Sequence, residues 1–243
     1  MSDPSAAPAP QLTYEDIAGM IEHAVLRPES SEEEVHIGCE IARQYRVAVV
    51  TVRPSDVEQA ARWMEGSGVA IGSVVSYPQG YATTSVKLYE TRDLVRRGAR
   101  EIDTVINLGK MISREFQYAE MELQQMAEAC HESGAILKVA LETGYLSEDL
   151  KTIACKIVKR AGVDYARNGT PFGPSPYSLD EVRLMVRLCG EHVKIKASGG
   201  VRTLADVIAL RQAGAARVGS ISTVAILEAW KAELAARASA PTA

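Results

Sequence analysis

Along the chain, short apolar runs rich in β-branched residues alternate with longer stretches whose apolar positions recur every three to four residues, the periods of strand and amphipathic helix. The runs His23 to Leu26, Val47 to Val52, Ile71 to Tyr77, Ile102 to Asn107, Leu137 to Glu142, Val163 to Arg167, Val193 to Ser198 and Arg217 to Ile221 are predicted strands. A polar or Gly/Pro break and a helical stretch follow each one. Ser31-Glu-Glu-Glu34, Ser55-Asp-Val-Glu58 and Ser178-Leu-Asp-Glu181 fit the capping box, and Thr203-Leu-Ala-Asp206 is close to it. In that motif a side-chain oxygen reaches back to first-turn N–H groups that have no helical partner. Gly66, Gly98, Gly134, Gly162 and Gly214 each stand just before the next strand, where a left-handed residue ends a helix.

Eight such units predict an α/β protein, a (β/α)8 TIM barrel, whose typical length of about 250 residues the chain matches. The alternative, an open doubly wound sheet, would normally carry GxGxxG after its first strand, and the chain has none. No linker or composition shift divides it, so one domain is expected over residues 12–235. Residues 1–11 then form a disordered N-terminal tail and residues 236–243 a loose C-terminal one.

Composition narrows the function. A formal net charge of -4 gives no basic face to replace counterions around phosphates, which argues against nucleic acid as a partner. No run approaches the ~18 apolar residues of a membrane span, and the first ten residues, MSDPSAAPAP, lack the basic and apolar regions of a signal peptide. A cytoplasmic protein is expected. Cys39, Cys130, Cys155 and Cys189 sit apart in helical patterns, without a CxxC, and read as small buried apolar side chains. His23, His36, His131 and His192 are equally scattered, so no metal site is expected. Trp63 and Trp230 read as packing residues, while the roles of Tyr77, Tyr81 and Tyr89 stay undecided.

Charge inside the predicted strands is the informative anomaly, because a barrel interior is packed with apolar side chains and function sits at the strands' C-terminal ends. Period-two alternation places Asp103 with Val105 and Asn107, Lys138 with Ala140 and Glu142, Arg167 with Tyr165, and Lys196 with Lys194 and Ser198. Facing inward, Asp103, Lys138, Arg167 and Lys196 must meet in one cluster, since unpaired buried charge is too costly to keep. Facing outward, each would be a side chain under a helix. A buried lysine beside other cations is a usable nucleophile; arginine is not, because it stays protonated. A second constellation lies in the last two units. Ser198-Gly199-Gly200-Val201-Arg202-Thr203 and Val218-Gly219-Ser220-Ile221-Ser222 each close a strand before a helix, and their small residues expose backbone N–H groups where barrels commonly bind phosphate. Gly199, Gly200, Gly219, Ser220 and Ser222 are the expected phosphate ligands.

The phrases EIDTVIN, LKVALETG and KASGGVRT, with IEHAVLRPESS, VVSYPQG and GAARVGSISTVAIL, resemble the 2-deoxyribose-5-phosphate aldolase family through nearly the whole folded region. The resemblance implies a (β/α)8 lyase of carbohydrate catabolism. It would reversibly cleave a small phosphorylated sugar, 2-deoxyribose 5-phosphate, to acetaldehyde and glyceraldehyde 3-phosphate, without metal or cofactor. It also implies a Schiff-base lysine on strand 6, a second lysine on strand 7 that tunes its pKa, and an aspartate on strand 4 that assists proton transfer. Asp103 matches the aspartate, Lys196 the second lysine, and Lys138 a further lysine of strand 5. At the Schiff-base position stands Arg167, in Asp164-Tyr165-Ala166-Arg167-Asn168-Gly169-Thr170-Pro171. Pro171, which has no N–H, takes the place of a phosphate-facing glycine, and Thr51-Val52-Arg53-Pro54 replaces a Cys-Val-Asn-Pro-like segment. Three readings are open: an aldolase with its imine moved to Lys196 or Lys138; a lyase or isomerase using Arg167 as a fixed cation; or a phosphosugar-binding or interaction protein without turnover. A homodimer or higher homo-oligomer is compatible with each.

Overall fold

The computed structural model describes residues 12–239. Eight parallel strands, β1 (Ile21–Val25), β2 (Val49–Val52), β3 (Ala70–Val75), β4 (Glu101–Val105), β5 (Ile136–Ala140), β6 (Tyr165–Arg167), β7 (Lys194–Ala197) and β8 (Arg217–Ser220), follow one another in order around a closed barrel. β8 closes onto β1 through Ile21 opposite Val218 and His23 opposite Ser220. Around it run α1 (Tyr14–Ala18), α2 (Glu32–Tyr45), α3 (Val57–Trp63), α4 (Thr84–Arg97), α5 (Leu108–Ile112), α6 (Phe116–His131), α7 (Glu148–Arg160), α8 (Leu179–Cys189), α9 (Leu204–Gln212) and α10 (Thr223–Ser239). α1 packs against α10, and α5 is a short extra turn after β4. The expected (β/α)8 architecture is the one observed.

Between barrel and helices lies a continuous apolar layer that includes Ile102, Leu137, Val139, Ala166 and Ile195 from alternate strand positions and Cys39, Leu123, Met126, Ile157 and Val182 from the helices. All four cysteines are buried and free. Trp230 is fully buried and donates its indole N–H to the Thr13 carbonyl at 3.0 Å, whereas Trp63 is half-buried and stacks on His36. α10 continues through Ser239, past residue 235 where the folded region was expected to end. Its Ala-rich turns are exposed and rest on helix propensity rather than burial. The expected tail at residues 1–11 lies outside the described residues.

Strands end earlier than expected. Tyr77, Asn107, Glu142, Ser198 and Ile221 have left the ladder, and the departures have local causes. Ser76 and Glu142 adopt left-handed conformations, and Asn107 turns to cap α5 by accepting from the Lys110 N–H at 3.2 Å. Four strands also begin earlier, β1, β3, β4 and β5; in this way β1 takes in Glu22 and β4 takes in Glu101. The capping boxes at Ser31 and Thr203 are complete, and Thr13 forms a third with Asp16. The other two do not form. Ser55 lies within a 3-10 turn, Pro54–Asp56, and its hydroxyl goes to Asp56. Ser178 stands at the N-cap of α8, but Glu181 accepts from Lys151 at 2.7 Å and Thr143 at 3.1 Å instead of reaching back. The five helix-ending glycines all have positive φ.

Candidate active site

Parallel pairing puts register partners on the same face. Asp103 of β4 stands opposite Lys138 of β5, and Arg167 of β6 opposite Lys196 of β7. All four point into the barrel and are buried, so the sequence-predicted cluster exists. Two carboxylates that the sequence reading left out complete it. Glu22 accepts from Lys138 at 2.7 Å and from Lys196. Glu101 stands 2.7 Å from the Lys138 ammonium, with Arg217 at 3.9 Å on its other oxygen. Glu22 was legible as a charge in the apolar run Ile21-Glu-His-Ala-Val25; a charge at a strand's first residues resembles a strand boundary, which is why it was passed over.

Asp103 is the hub. Lys196 Nζ donates to its Oδ1 at 2.8 Å and to Oδ2 at 3.1 Å, Lys138 lies 3.3 Å from Oδ2, and Arg167 Nη1 donates to Oδ1 at 3.3 Å. Burial alone would raise the Asp103 pKa, but the three cations hold it well below its usual range. Glu22 is lowered in the same way, burial being outweighed by Lys138 and Lys196. The two lysines diverge. Burial pushes both down; at Lys138 the carboxylates of Asp103, Glu22 and Glu101 overcome it and raise the ammonium above its ordinary value. At Lys196 burial wins, helped by the neighbouring charges of Lys138 and Arg167, and its pKa is lowered.

A cavity of about 740 Å³ opens at the C-terminal ends of the strands. Glu22, Arg167 and Lys196 line it, with Tyr77 and Ser198; Asp103 and Lys138 are not part of its wall. Ser198 holds Arg167 in place, accepting from Nε at 2.5 Å while donating to the Gly169 carbonyl at 2.6 Å. Asn168 ties the β6 end to the β7 end through paired bonds with the Ser198 backbone at 2.9 and 3.0 Å. Glu142 fixes the next turn by accepting from the Thr170 N–H at 2.6 Å.

Of the expected phosphate ligands, Gly199, Gly200, Gly219 and Ser220 line the same cavity, together with Val201, Arg202 and Ile221. Gly199 and Gly200 have φ of 90° and 98°, a backbone that a side chain would strain. Gly219 has a different reason to be glycine: a Cβ there would come within 3.2 Å of Ser198 Cβ and 3.6 Å of Lys196 Cε. Ser222 stands outside the lining, its N–H given at 3.0 Å to Ser220 Oγ, which itself donates to the Val201 carbonyl at 2.7 Å. That serine pair tightens the loop. Pro171 and Phe172 face the cavity from β6's loop. Tyr77 reaches it too, whereas Tyr81 and Tyr89 are exposed. Among the described residues no group of His, Cys, Asp or Glu is arranged to hold a metal ion, and no helix is long and apolar enough to cross a membrane.

A closed parallel barrel with two lysines and an aspartate buried together inside it, and a cavity at the C-terminal ends of its strands, has the build of a (β/α)8 enzyme. Comparison with known proteins specifies which. No protein-family model matches the chain. The deoxyribose-phosphate aldolase of Bacteroides thetaiotaomicron is 40% identical over 220 residues, 90% of this chain and 92% of the relative. That of Caldanaerobacter subterraneus subsp. tengcongensis is 39% identical over 217 residues, 89% and 94% of the two chains. Among solved structures, the aldolase QR15 superposes with a TM-score of 0.86 at 32% identity, covering 91% of this chain and 98% of that one. A tetrameric deoxyribose phosphate aldolase from Aeropyrum pernix gives 0.84 at 27% identity, covering 91% and 93%. The chain belongs to the deoxyribose-phosphate aldolase family.

Proposed function

We propose that the protein is an aldolase that cleaves a small phosphorylated sugar of the 2-deoxyribose 5-phosphate type through an imine on Lys196. The observation that carries this reading is the asymmetry of the two lysines. Lys138 is held as an ammonium by three carboxylates and is not part of the cavity wall, whereas Lys196 lines the cavity with its pKa lowered. An amine must be neutral to attack a carbonyl, so Lys196 is the nucleophile.

Arg167 then takes the part that the family assigns to a lysine of strand 7, with the two strands exchanging roles. It is permanently protonated and shares Asp103 Oδ1 with Lys196, so it disfavours a second cation beside it. Neutral Lys196 adds to the C1 aldehyde of the open-chain sugar, and loss of water gives a protonated imine. That iminium bears the same single positive charge as the ammonium it replaces, so Asp103 and Glu22 stay matched. Removal of the C3 hydroxyl proton breaks the C2–C3 bond, the electron pair enters the enamine, and the phosphorylated aldehyde departs. Protonation at C2 and hydrolysis release acetaldehyde. The Gly199–Gly200 and Gly219–Ser220 loops hold the phosphate.

The test is borohydride reduction in the presence of acetaldehyde, followed by peptide mapping. A reduced adduct on Lys196, absent in Lys196→Met, is expected; measurable sugar-phosphate cleavage with no adduct on any lysine would overturn the reading. The Aeropyrum pernix relative is described as tetrameric, and exposed Tyr81, Val86 and Tyr89 around the start of α4 support a homo-oligomer here as well; light scattering on the full chain reads its mass.

A further inference from the structure

Arg167 offers more hydrogen-bond donors than the protein uses. Its Nε–H goes to Ser198 and one Nη1–H goes to Asp103. The rest of the guanidinium faces the cavity, which the side chain lines while only 5% exposed. Beside it stands the buried Tyr77 hydroxyl, which no described residue other than Arg167 engages, its ring centroid 6.0 Å from the guanidinium carbon. A lysine at this position would be a point charge that Asp103 alone could answer. A guanidinium is a planar fork whose matching partner is a carboxylate bound through two parallel N–H···O bonds.

We propose that Arg167 and Tyr77 form a carboxylate subsite, so that the cavity also takes a 2-oxo acid on Lys196, in preference to a simple aldehyde, and cleaves 4-hydroxy-2-oxo acids as a second class of aldol. The inference rests on the Lys196 imine proposed above and adds the substrate class. Arg167 Nη1 and Lys196 Nζ both donate to Asp103 Oδ1, so the two cationic heads stand side by side around one oxygen atom. A 2-oxo acid has the same adjacency, its carboxylate carbon being bonded directly to the carbonyl carbon. The glycine-lined loops of β7 and β8 form a separate anion cradle in the same cavity, which leaves the fork at β6 for the carboxylate.

The chemistry is redox-neutral. Neutral Lys196 Nζ adds to C2 of the oxo acid and, with one proton taken from solvent, the carbonyl oxygen leaves as water, giving the protonated imine. Loss of the C4 hydroxyl proton breaks the C3–C4 bond, whose electrons form the C2–C3 enamine, and C4 departs as an aldehyde. A proton added at C3 and a water at C2 then release the 2-oxo acid and restore the amine.

Cyanoborohydride trapping on the full chain, with pyruvate alone and with acetaldehyde alone, separates the two proposals. Pyruvate is expected to modify Lys196 with a half-saturating concentration at least about tenfold below that of acetaldehyde, the worth of one charge-assisted pair. Tyr77→Phe should narrow that gap by about three- to tenfold, the range of one hydrogen bond. Arg167→Lys, which keeps the charge and removes the fork, should close it. An acetaldehyde adduct on Lys196 with no such advantage for pyruvate would overturn the carboxylate subsite and leave the aldolase reading standing. Absence of a Lys196 adduct with either compound would overturn both.

Discussion

Lys138 and Lys196 carry the same side chain two strands apart, and only their surroundings raise the pKa of one and lower that of the other. The difference has a pH signature. Because the Lys196 pKa is lowered from 10.5, the neutral fraction grows as pH rises and reaches half below pH 10.5. Adduct formation with acetaldehyde should therefore accelerate with pH, with its midpoint below that value, measured from initial trapping rates by mass spectrometry. His23 gives a second pH dependence, this time of stability. It is buried with Nδ1 2.9 Å from Thr223 Oγ1, and burial pushes its pKa down to about 4. The native state keeps it neutral while the unfolded chain takes up a proton below about 6.5, so stability falls as pH drops from about 6.5 to 4. The loss is on the order of 3 kcal/mol, and His23→Gln should remove most of it from urea unfolding curves recorded at pH 7 and pH 4.5.

At the scale of elements, the outer ring holds its own buried ion pair. Lys87 of α4 and Glu122 of α6 meet at 2.6 Å with almost no exposure; Lys87 also donates to the Val105 carbonyl at the end of β4, and Glu122 accepts from Thr84. Three elements are tied together at the strand that carries Asp103. Lys87→Met leaves a buried unpaired carboxylate and should cost about 3–5 kcal/mol in chemical denaturation, while the double change Lys87→Met with Glu122→Leu should recover most of it. The pair also shows why local reading fails at some boundaries. Thr84, Glu122 and Glu181 look from sequence like ordinary helix-surface residues, but each is drawn to a partner on another element. Ser178 loses its capping partner that way. Strand ends fail for a related reason: Ser76 and Glu142 leave the ladder through left-handed conformations that residue type does not announce.

For the whole molecule, closure of the barrel decides which charges meet. Glu22 and Lys138 are 116 residues apart in sequence, and Glu22 and Lys196 are 174 apart, yet all three head groups share one interior. The same closure sets the two glycine loops of β7 and β8 against the lysine, forming one cavity rather than two features. A sugar phosphate bound there stabilises the native state alone, so 2-deoxyribose 5-phosphate should raise the melting temperature. At a hundred times its Kd the gain is about 2.7 kcal/mol. Gly200→Ala, which must hold φ near 98°, should blunt that shift in a thermal-melt titration.

The order of strands and helices, the strand faces that carry Asp103, Lys138, Arg167 and Lys196, and the glycine loops were legible in the sequence; that those faces point inward was decided by the closed barrel. Period-two alternation and the cost of buried charge are local rules, and they need no coordinates. Tertiary structure alone decided the partners. Glu22 enters the cluster because β8 closes onto β1, and Glu101 enters because β4 begins one residue earlier than its apolar run. With Asp103 those two carboxylates give Lys138 the three partners that fix its charge, while burial beside Lys138 and Arg167 leaves Lys196 at the cavity with a lowered pKa. A pKa is set by every charge within a few ångströms, and the chain brings those charges together only when the barrel closes.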